Sequence, residues 1–451
     1  MKMAETADEI REITKIEKVI EKAKGKLTLA EITSETGLPI EQARQTLNKL
    51  LERYQSKLQM NSDTGDLLFN FQYPMQRRDK VSFKENLIKV GDVLLKVFKA
   101  IYKASLGIVL VAYTVFFALL ILVALSRSDS DDRRGGDNLI SGLFSAIFDA
   151  LWFRRMTAPM YEYRNDGAFK YKKVKISNNK GKGFIASVFS FVFGPEKIKY
   201  DPNLDALEAI AYIKNNNGKL NTGDIVALTG ANYSQAESKL AEYVGKYNGE
   251  IYINEYGVAT AEFPQLLHKF NPALDGGKIE FYTNEIESPV EFNGNTTGKN
   301  VLVSIMNTFN LMMSYFIVTN ADYALASEGQ GFWFIALAGY FPLIISSLYF
   351  LIPLLRLPFY LKEKKNRKRN ILRKEIIGNI IAKNGENVSP NNINIRGKEN
   401  IYTKEDIENM LLDVSKDLQG ETAIDKNGNA VFQFPRLAKE LGAGSNLIES
   451  I

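Results

Sequence analysis

The sequence predicts an α+β membrane protein in which three winged-helix-like domains are joined by transmembrane helical hairpins. Three observations lead to this prediction. A glycine-centred pattern of two short strands occurs three times, and a helical run precedes each occurrence. Long uncharged apolar runs lie between the occurrences. Clusters of lysine and arginine border these runs, as they do at the cytoplasmic ends of membrane spans.

The repeated pattern is a glycine followed six residues later by a phenylalanine, as in Gly65 to Phe71, Gly257 to Phe263 and Gly428 to Phe434. An apolar strand precedes each glycine, so each pattern predicts a β-hairpin. A shift of 193 residues aligns the first copy with the second and pairs identical residues, among them Ile20 with Ile213, Gly25 with Gly218 and Leu27 with Leu220. Helix, helix and hairpin in this order make the winged-helix plan.

The composition excludes several classes of site. The chain of 451 residues is long enough for two to four domains and contains no cysteine. Disulfides, thiolate zinc sites, cysteine-held iron–sulfur clusters and a cysteine nucleophile are therefore excluded. The one histidine, His268, cannot form a histidine metal cluster and is expected at the surface. Because no phosphate loop, serine elbow or dinucleotide fingerprint follows a predicted strand, we expect no enzymatic activity and no cofactor.

Residues 8–78 are predicted to form the first winged-helix domain. Its first helix has one apolar stripe, Thr28 can cap the second helix, and Pro39 begins the third. The segment 83–156 begins with a long helix that runs into residues 105–126. This run has no charged residue and is long enough for a transmembrane span, which needs roughly 20 residues.

Residues 138–153 carry an apolar stripe but include Asp149, and sixteen residues are short for a span. Two interpretations stay open. One is a return crossing, which Arg154 and Arg155 favour because positive residues stay on the cytoplasmic side. The other is an interfacial helix. We prefer the return crossing because it places the second domain on the same side as the first.

The segment 157–202 is predicted to contain a basic β-hairpin and an apolar stretch at residues 184–193. This stretch is expected to lie on the membrane or to pack against the second winged-helix domain, residues 203–270. The hairpin lysines are candidate contacts for anionic lipid headgroups: Lys170, Lys172, Lys173 and Lys175. Within residues 271–298, two further short strands are predicted at 278–293.

Residues 301–355 are predicted to form a transmembrane hairpin, with spans at 301–319 and 332–355. A polar stripe in the first span is expected to make interhelical hydrogen bonds, with pore lining as the alternative: Asn307, Asn310 and Ser314. In the basic segment 356–369, five cations are candidate contacts for anionic headgroups: Lys364, Lys365, Arg367, Lys368 and Arg369. The third winged-helix domain is predicted at residues 370–441.

The charges around this hairpin predict its orientation. The loop between the two spans is acidic, whereas the exit from the second span is basic. Both ends of the hairpin are therefore expected in the cytoplasm. All three soluble domains then face the cytoplasm, and the expected location is the inner membrane of a bacterium.

A winged helix that binds DNA places its third helix in the major groove and needs basic residues there. The third helix of the first domain offers three candidate nucleic-acid contacts, Arg44, Lys49 and Arg53, against Glu41 and Glu52. The corresponding helix is neutral in the second domain and acidic in the third. Because a DNA-binding repeat should be basic at the same place in each copy, nucleic acid is not an expected partner.

The expected function is that of an integral membrane scaffold that presents three winged-helix domains for protein–protein contact or self-assembly. The expected partners are the lipid bilayer with its anionic headgroups, and a protein partner or further copies of the chain. The main alternative is a membrane-tethered DNA-binding regulator. A transporter subunit is a weaker alternative, because the predicted spans are few.

Several motifs resemble those of one known family: the run Ser187 to Gly194, Phe263-Pro264-Gln265-Leu266 after a winged helix, Asn307 to Val318, and Pro353-Leu354-Leu355-Arg356 leading to Arg369-Asn370. The chain resembles uncharacterised membrane proteins of cyanobacteria and plastids sometimes labelled "iron–sulfur cluster biosynthesis family protein". The resemblance covers roughly residues 140 to 440 as scattered motifs. It implies no catalytic residue, and a chain without cysteine lacks the usual ligands of such a cluster.

Overall fold

The computed structural model describes residues 7–60, 65–78, 83–126, 161–164, 172–175, 183–195, 203–267, 270–271, 274, 277–285, 287, 289–320, 331–395, 402–424 and 430–444. Within these residues the protein is mainly helical, with long apolar helices and small antiparallel sheets. Three small units contain most of the strands, and the apolar helices connect these units along the chain.

The first unit (residues 7–78) contains α1 (Ala7–Lys22), β1 (Lys26–Thr28), α2 (Leu29–Thr36), α3 (Ile40–Arg53), β2 (Ser56–Met60) and β3 (Leu67–Phe71). β3 is the central strand and pairs antiparallel with both others. α2 begins after Thr28 because the Thr28 hydroxyl accepts from the Glu31 N–H while the Glu31 carboxylate accepts from the Thr28 N–H. It ends at Gly37, whose φ of 70° is left-handed.

After the first unit come the long helix α4 (Phe83–Ser126), a hairpin of β4 (Tyr161–Arg164) with β5 (Lys172–Lys175), and the short helix α5 (Phe184–Phe193). α4 has 44 residues and is therefore about 66 Å long. It meets α5 at Gly107, where an added Cβ would lie 2.6 Å from the Ile185 carbonyl oxygen. Residues 138–153, predicted to cross or to lie on the membrane, are outside the described residues.

The second unit (residues 203–271) has the same element order as the first: α6 (Leu204–Asn215), β6 (Lys219–Asn221), α7 (Thr222–Thr229), α8 (Tyr233–Tyr247), β7 (Glu250–Ile253) and β8 (Ala259–Glu262). β8 is central in its sheet, as β3 is in the first. Asn221 and Asp224 cap α7 as Thr28 and Glu31 cap α2. The sequence does not predict β1 or β6, because three residues are too few to show alternation.

The remaining apolar helices are α9 (Thr297–Thr319), α10 (Gly331–Phe334) and α11 (Phe341–Ala382), with a π-helical turn at Ile335–Tyr340 between the last two. In the described part of the chain, three helical segments are long and apolar enough to cross a membrane: Val93–Ala124, Thr297–Thr319 and Phe332–Ala382. α11 stays helical through the basic segment 356–369 and supplies the first helix of the third unit. No break separates these two regions.

The third unit (residues 370–444) combines the end of α11 with α12 (Lys404–Asp417), β9 (Glu421–Ile424), β10 (Ala430–Gln433) and α13 (Pro435–Gly444). Among the described residues 383–395 no short helix follows α11. Val388 forms a single bridge to Phe432 where the other units have a strand. Pro390 and three nearby asparagines favour turns over a helix: Asn391, Asn392 and Asn394.

One hydrogen bond is common to all three units, at the turn after the first helix. A glycine carbonyl accepts from the N–H of the phenylalanine at the end of the hairpin, at 2.8 Å in each unit: Gly25 with Phe71, Gly218 with Phe263 and Gly385 with Phe434. The three glycines have φ of 86°, 83° and 72°. A Cβ on Gly25 would overlap the Phe71 carbonyl, so glycine is needed for this close approach.

One of the two alternatives for residues 184–193, and the strands predicted at 278–293, are not found in the described residues. Residues 184–193 do not pack against the second unit, because α5 buries Val188 and Val192 against the long helices, among residues such as Leu110 and Val303. The described part of residues 278–293 contains no strand and has a 3₁₀ turn at Tyr282–Asn284.

Candidate interaction surfaces

The first and second units are joined through the residue that caps α2. The Glu31 side chain is buried, and besides its capping bond it accepts hydrogen bonds from the backbone N–H groups of Phe270 and Asn271. The Asn271 side-chain amide donates to the carbonyls of Ala23 and Lys26, each at 2.9 Å. One capping carboxylate therefore also fixes the end of the next unit.

The second and third units are joined at the corresponding place. Asn221, which caps α7, donates from Nδ2 to the Glu440 carbonyl at 2.9 Å. Arg436 of α13 lies 2.7 Å from Glu237 and 4.0 Å over the Tyr233 ring. Both junctions use the same two places. The start of the second helix of one unit contacts the segment that follows the hairpin of the next unit. The units thus form a stack whose head-to-tail contact is used twice.

The candidate nucleic-acid contacts lie on α3 and are engaged within the first unit. Arg44 lies 3.7 Å from Glu41, and Lys49 lies 3.4 Å from Glu9. The Arg53 side chain is half-buried, and its backbone carbonyl accepts a hydrogen bond from the end of the unit. Arg44 and Lys49 are therefore paired with carboxylates of their own unit, although both side chains stay almost half exposed.

The third helices of the other two units also make contacts inside the protein. In α8, the Tyr247 hydroxyl donates to the Gly37 carbonyl of the first unit at 3.1 Å, and Glu237 pairs with Arg436 of the third. α12 turns its acidic residues toward α11: Lys368 lies 3.8 Å from Asp406, Arg369 2.7 Å from Asp413, and Arg373 2.6 Å from Asp417. These helices consequently lack the basic face that a phosphate backbone requires.

Some of the candidate lipid-binding residues have partners inside the protein, and others are exposed. Lys368 and Arg369 have carboxylate partners on α12, and Arg367 donates to the Glu287 carbonyl at 3.4 Å. Lys364 and Lys365 are exposed. In the preceding hairpin three candidates lie on β5, and Lys170 is outside the described residues: Lys172, Lys173 and Lys175. Contact with anionic headgroups stays a prediction for these residues.

A buried charge cluster joins α11 to the segment after the second unit. The Lys374 and Glu285 side chains are each 6% exposed and lie 3.1 Å apart, and the Glu287 carboxylate lies 2.9 Å from the same ammonium group. Lys374 also lies 4.9 Å over the Tyr282 ring, and burial raises the pKa of Tyr282 to about 12. Because buried charges are costly unless paired, the cluster holds both segments together.

The predicted polar stripe of α9 faces the protein interior. Asn307 donates from Nδ2 to the Ser346 carbonyl of α11 at 2.9 Å, and Asn310 donates to the Leu110 carbonyl of α4 at 3.1 Å. Ser314 differs from the expectation because its hydroxyl donates to the Asn310 carbonyl within α9. The outer face of α9 exposes large apolar side chains, among them Ile305, Met312, Tyr315 and Phe316. This helix is therefore polar inside and apolar outside.

Sequence reasoning missed the role of Arg356, which appears there as the first residue of a basic segment and as the end of a motif. Its guanidinium donates to the carbonyls of Val192 at 2.9 Å and Phe292 at 2.7 Å, and it stacks over the Phe292 ring at 5.2 Å. Val192 lies in the last turn of α5, where helix carbonyls lack intrahelical donors. No sequence signal marks this contact, because both acceptors are backbone groups far along the chain.

The outer strands of the hairpins, β2, β7 and β9, lie at the edges of their sheets. Each exposes a large apolar side chain: Met60 is 70% exposed, Ile253 is 76% exposed and Ile424 is 77% exposed. An exposed apolar edge strand is a template for pairing with another chain. The three edges are therefore candidate protein contacts.

Buried carboxylates in the described part of the chain serve structural contacts. Glu31 and Asp224 accept capping hydrogen bonds, and Glu285 pairs with Lys374. In those residues no group of three histidine, aspartate or glutamate side chains could hold a metal ion. The acidic groups at the unit junctions thus fasten elements to one another.

Asp224 gives the second unit a pH-dependent stability. Burial raises the pKa of Asp224 to about 7, against hydrogen bonds from Tyr212 and Asn221 that lower it, and nearby Glu440 adds to the rise. An unfolded aspartate has a pKa of about 3.9, so between roughly pH 4 and 7 the folded state keeps a proton that the unfolded state has lost. The free energy of unfolding should fall as the pH rises through this window, by at most about 1.4 kcal/mol per pH unit.

The measurement is denaturant unfolding of the full chain in detergent at pH 5, 6, 7 and 8, for the wild type and for Asp224→Asn. The substitution preserves the shape of the side chain and removes its titration. Between pH 5 and 7 the wild type should lose more stability than the variant. Parallel curves would contradict the assignment.

Comparison with known proteins gives a distant relative. The chain is similar to an uncharacterized chloroplastic protein of Arabidopsis thaliana, with 26% identity over 373 residues, covering 76% of this chain and 68% of the relative. No protein-family model matches the sequence, and no solved structure matches the chain. The relative agrees with the plastid part of the resemblance noted from the motifs, and it transfers no activity.

Proposed function

We propose that the chain is an integral membrane scaffold whose three units are winged-helix domains that bind proteins, or further copies of the chain, through their hairpin edges. One observation carries this proposal. The third helices of the second and third units, which read DNA in DNA-binding winged helices, make contacts with other parts of the protein, whereas the apolar hairpin edges are exposed. A DNA-binding regulator would need the opposite arrangement.

The winged-helix assignment is supported by the order helix, strand, helix, helix, strand, strand in the first two units. The glycine–phenylalanine hydrogen bond supports it in all three. We infer that the units are copies of one fold. In the third copy, a turn containing Pro390 stands where the others begin their second helix.

The membrane location is supported by the apolar helices, which bury polar side chains and expose large apolar ones. α9 buries Asn307 and Asn310, and its neighbours expose large apolar side chains, such as Leu119, Val123, Leu348, Leu351 and Leu354. A monomeric soluble protein rarely exposes apolar patches of this extent. A bilayer matches this surface, because membrane helices associate through inward polar groups and face lipid with apolar ones.

The stack contacts support a location of all three units on one side of the bilayer. α4 then crosses the bilayer once between the first and the second unit. The chain has to cross back before the second unit begins on the same side. α5 has ten residues, about 15 Å, which is too short for this purpose. A return crossing within residues 138–153, which lie outside the described residues, stays the preferred prediction from the sequence. The basic exit of α11 favours the cytoplasm, with Lys364 and Lys365 at the headgroups.

The test is chemical cross-linking of the full chain in its native membrane, with Met60, Ile253 and Ile424 each replaced by glutamate. These side chains are exposed, so the fold should tolerate the change, while a charge on each edge opposes apolar pairing. We expect at least a tenfold loss of cross-linked species. The matched control replaces Gln59 and Thr422, exposed polar residues of β2 and β9, by alanine and should cross-link as the wild type does.

The competing function has its own readout. The wild-type protein is purified, mixed with random duplex DNA at low salt, and titrated with salt. Unchanged cross-links in the glutamate variant, together with DNA binding that weakens steeply with salt, would overturn the scaffold in favour of a DNA-binding regulator.

A further inference from the structure

The third unit has a groove of about 360 Å³ where α11 ends and α13 packs beside it. Its lining includes Ile380, Asn384, Gly385, Ala438 and Leu441. The apolar lining comes from both helices, and the backbone of the turn after α11 forms one wall. The equivalent position in each of the other two units is occupied by side chains.

The same turn occurs in the first unit with the same backbone bonds. In the first unit the Gly25 N–H donates to the Ile20 carbonyl and the Lys26 N–H to the Ala23 carbonyl. In the third unit the Gly385 N–H donates to the Ile380 carbonyl at 2.8 Å, and the Glu386 N–H donates to the Lys383 carbonyl at 3.0 Å. The carbonyls of Ala23 and Lys26 therefore correspond to those of Lys383 and Glu386.

In the first unit this turn already holds a segment from outside the unit. The Asn271 amide donates to the carbonyls of Ala23 and Lys26, both at 2.9 Å. Three residues later, Leu274 is 1% exposed and belongs to the hydrophobic core of the first unit. An asparagine followed three residues later by a leucine thus makes a polar contact with this turn and an apolar contact with the core of the first unit.

In the second unit, side chains of the unit itself occupy the equivalent place. The Asn216 side chain donates to the Lys219 carbonyl at 3.1 Å, in the role that Asn271 has for Lys26. Leu267 covers the turn, because a Cβ on Gly218 would lie 3.0 Å from its Cδ1 atom. This unit needs no outside segment.

Among its described residues, the third unit has neither internal substitute. Lys383 stands where the second unit has Asn216, and Ala438 stands where it has Leu267. The smaller Ala438 side chain leaves the groove open. We propose that this groove binds an extended segment of a partner protein in which an asparagine is followed three residues later by a leucine. The asparagine amide would donate to the carbonyls of Lys383 and Glu386, and the leucine would enter the apolar groove.

This inference deepens the proposed scaffold function and rests on it, because it names the kind of segment that a partner presents. The probe is a fluorescent peptide with the sequence of residues 269–276, Lys-Phe-Asn-Pro-Ala-Leu-Asp-Gly, added to the full chain in nanodiscs. We expect saturable binding by fluorescence anisotropy. A peptide in which the asparagine and the leucine are exchanged should bind at least tenfold more weakly.

The deciding variant is Ala438→Leu, which installs the side chain that closes the equivalent place in the second unit. It should abolish peptide binding while leaving the unfolding temperature equal or higher, so loss of binding cannot come from unfolding. Lys439→Leu, at the exposed neighbouring position, is the matched control and should bind as the wild type does. Equal binding by Ala438→Leu and wild type would overturn the proposal.

Other occupants give different outcomes. If the peptide binds only after the chain is cut back to Gly444, the chain's own end fills the groove and the proposal fails. A fall in particle mass on adding peptide would assign the groove to a second copy instead, which also overturns it. Absence of peptide binding in every variant, with the hairpin-edge cross-links intact, would refute this inference and leave the scaffold function standing.

Discussion

Replacing Lys374 by methionine should destabilise the protein by about 3–5 kcal/mol, the usual effect of removing one partner from a buried ion pair. The substitution keeps most of the side-chain volume and removes the only ammonium that lies within 3.1 Å of both Glu285 and Glu287 in the described residues. Glu285 is 6% exposed, so its charge cannot regain solvation without movement of the segment. The segment that holds α11 to the second unit should therefore detach.

The matched control is Lys368→Met on the same helix. Its partner Asp406 lies 3.8 Å away and both side chains are nearly half exposed, so the expected change is about 0–1 kcal/mol. Unfolding of the full chain in detergent measures both effects, and limited proteolysis of residues 277–292 reports the local detachment. Adding Glu285→Gln to Lys374→Met should recover part of the loss. Equal effects of the two lysine substitutions would contradict the buried cluster.

Replacing Gly107 by alanine should destabilise the contact between α4 and α5 by about 1–3 kcal/mol, the range found for overpacking. The added methyl group would lie 2.6 Å from the Ile185 carbonyl oxygen and 2.8 Å from its Cα. Both atoms belong to the backbone, so α5 has to move as a whole. The contacts of α5 with Arg356, and those of Val188 with the long helices, should then be lost.

Gly91→Ala is the control because it lies in the same helix with nothing within 4 Å of the added Cβ. Alanine is the better helix former, so this change should stabilise the protein by about 0.5–1 kcal/mol. The two glycine substitutions are thus expected to have opposite signs in the same unfolding experiment. A stabilising Gly107→Ala would show that α5 does not press on α4.

The sequence predicts the local features of the units well, because they depend on short-range chemistry. The hairpins form at the glycine turns at Gly65 and Gly257, and the cap of α2 forms at Thr28. The strand β1 is not predicted, since its partner β3 lies about 40 residues later and only the tertiary fold reveals the pairing.

The contacts that fasten the units and helices could not be predicted from the sequence. Lys374 stands at the end of a run of cations and gives no sign that it is buried, because its two glutamate partners lie almost 90 residues away. The apolar run at 184–193 indicates that this segment is buried, but it does not indicate which helices it packs against. Polar spacing in α9 predicts an inward face, whereas its partners Ser346 and Leu110 depend on the packing of three helices.

In the proposed membrane location, α11, which stays helical through Pro353 and Pro358, would link the bilayer to the stack. Its 42 residues span about 63 Å, and its C-terminal end is built into the core of the third unit. A change in its tilt of about 10°, as occurs when a span adjusts to a thinner lipid layer, would swing that end by about 11 Å. In the proposed location, the position of the docked units would therefore follow the thickness of the lipid layer.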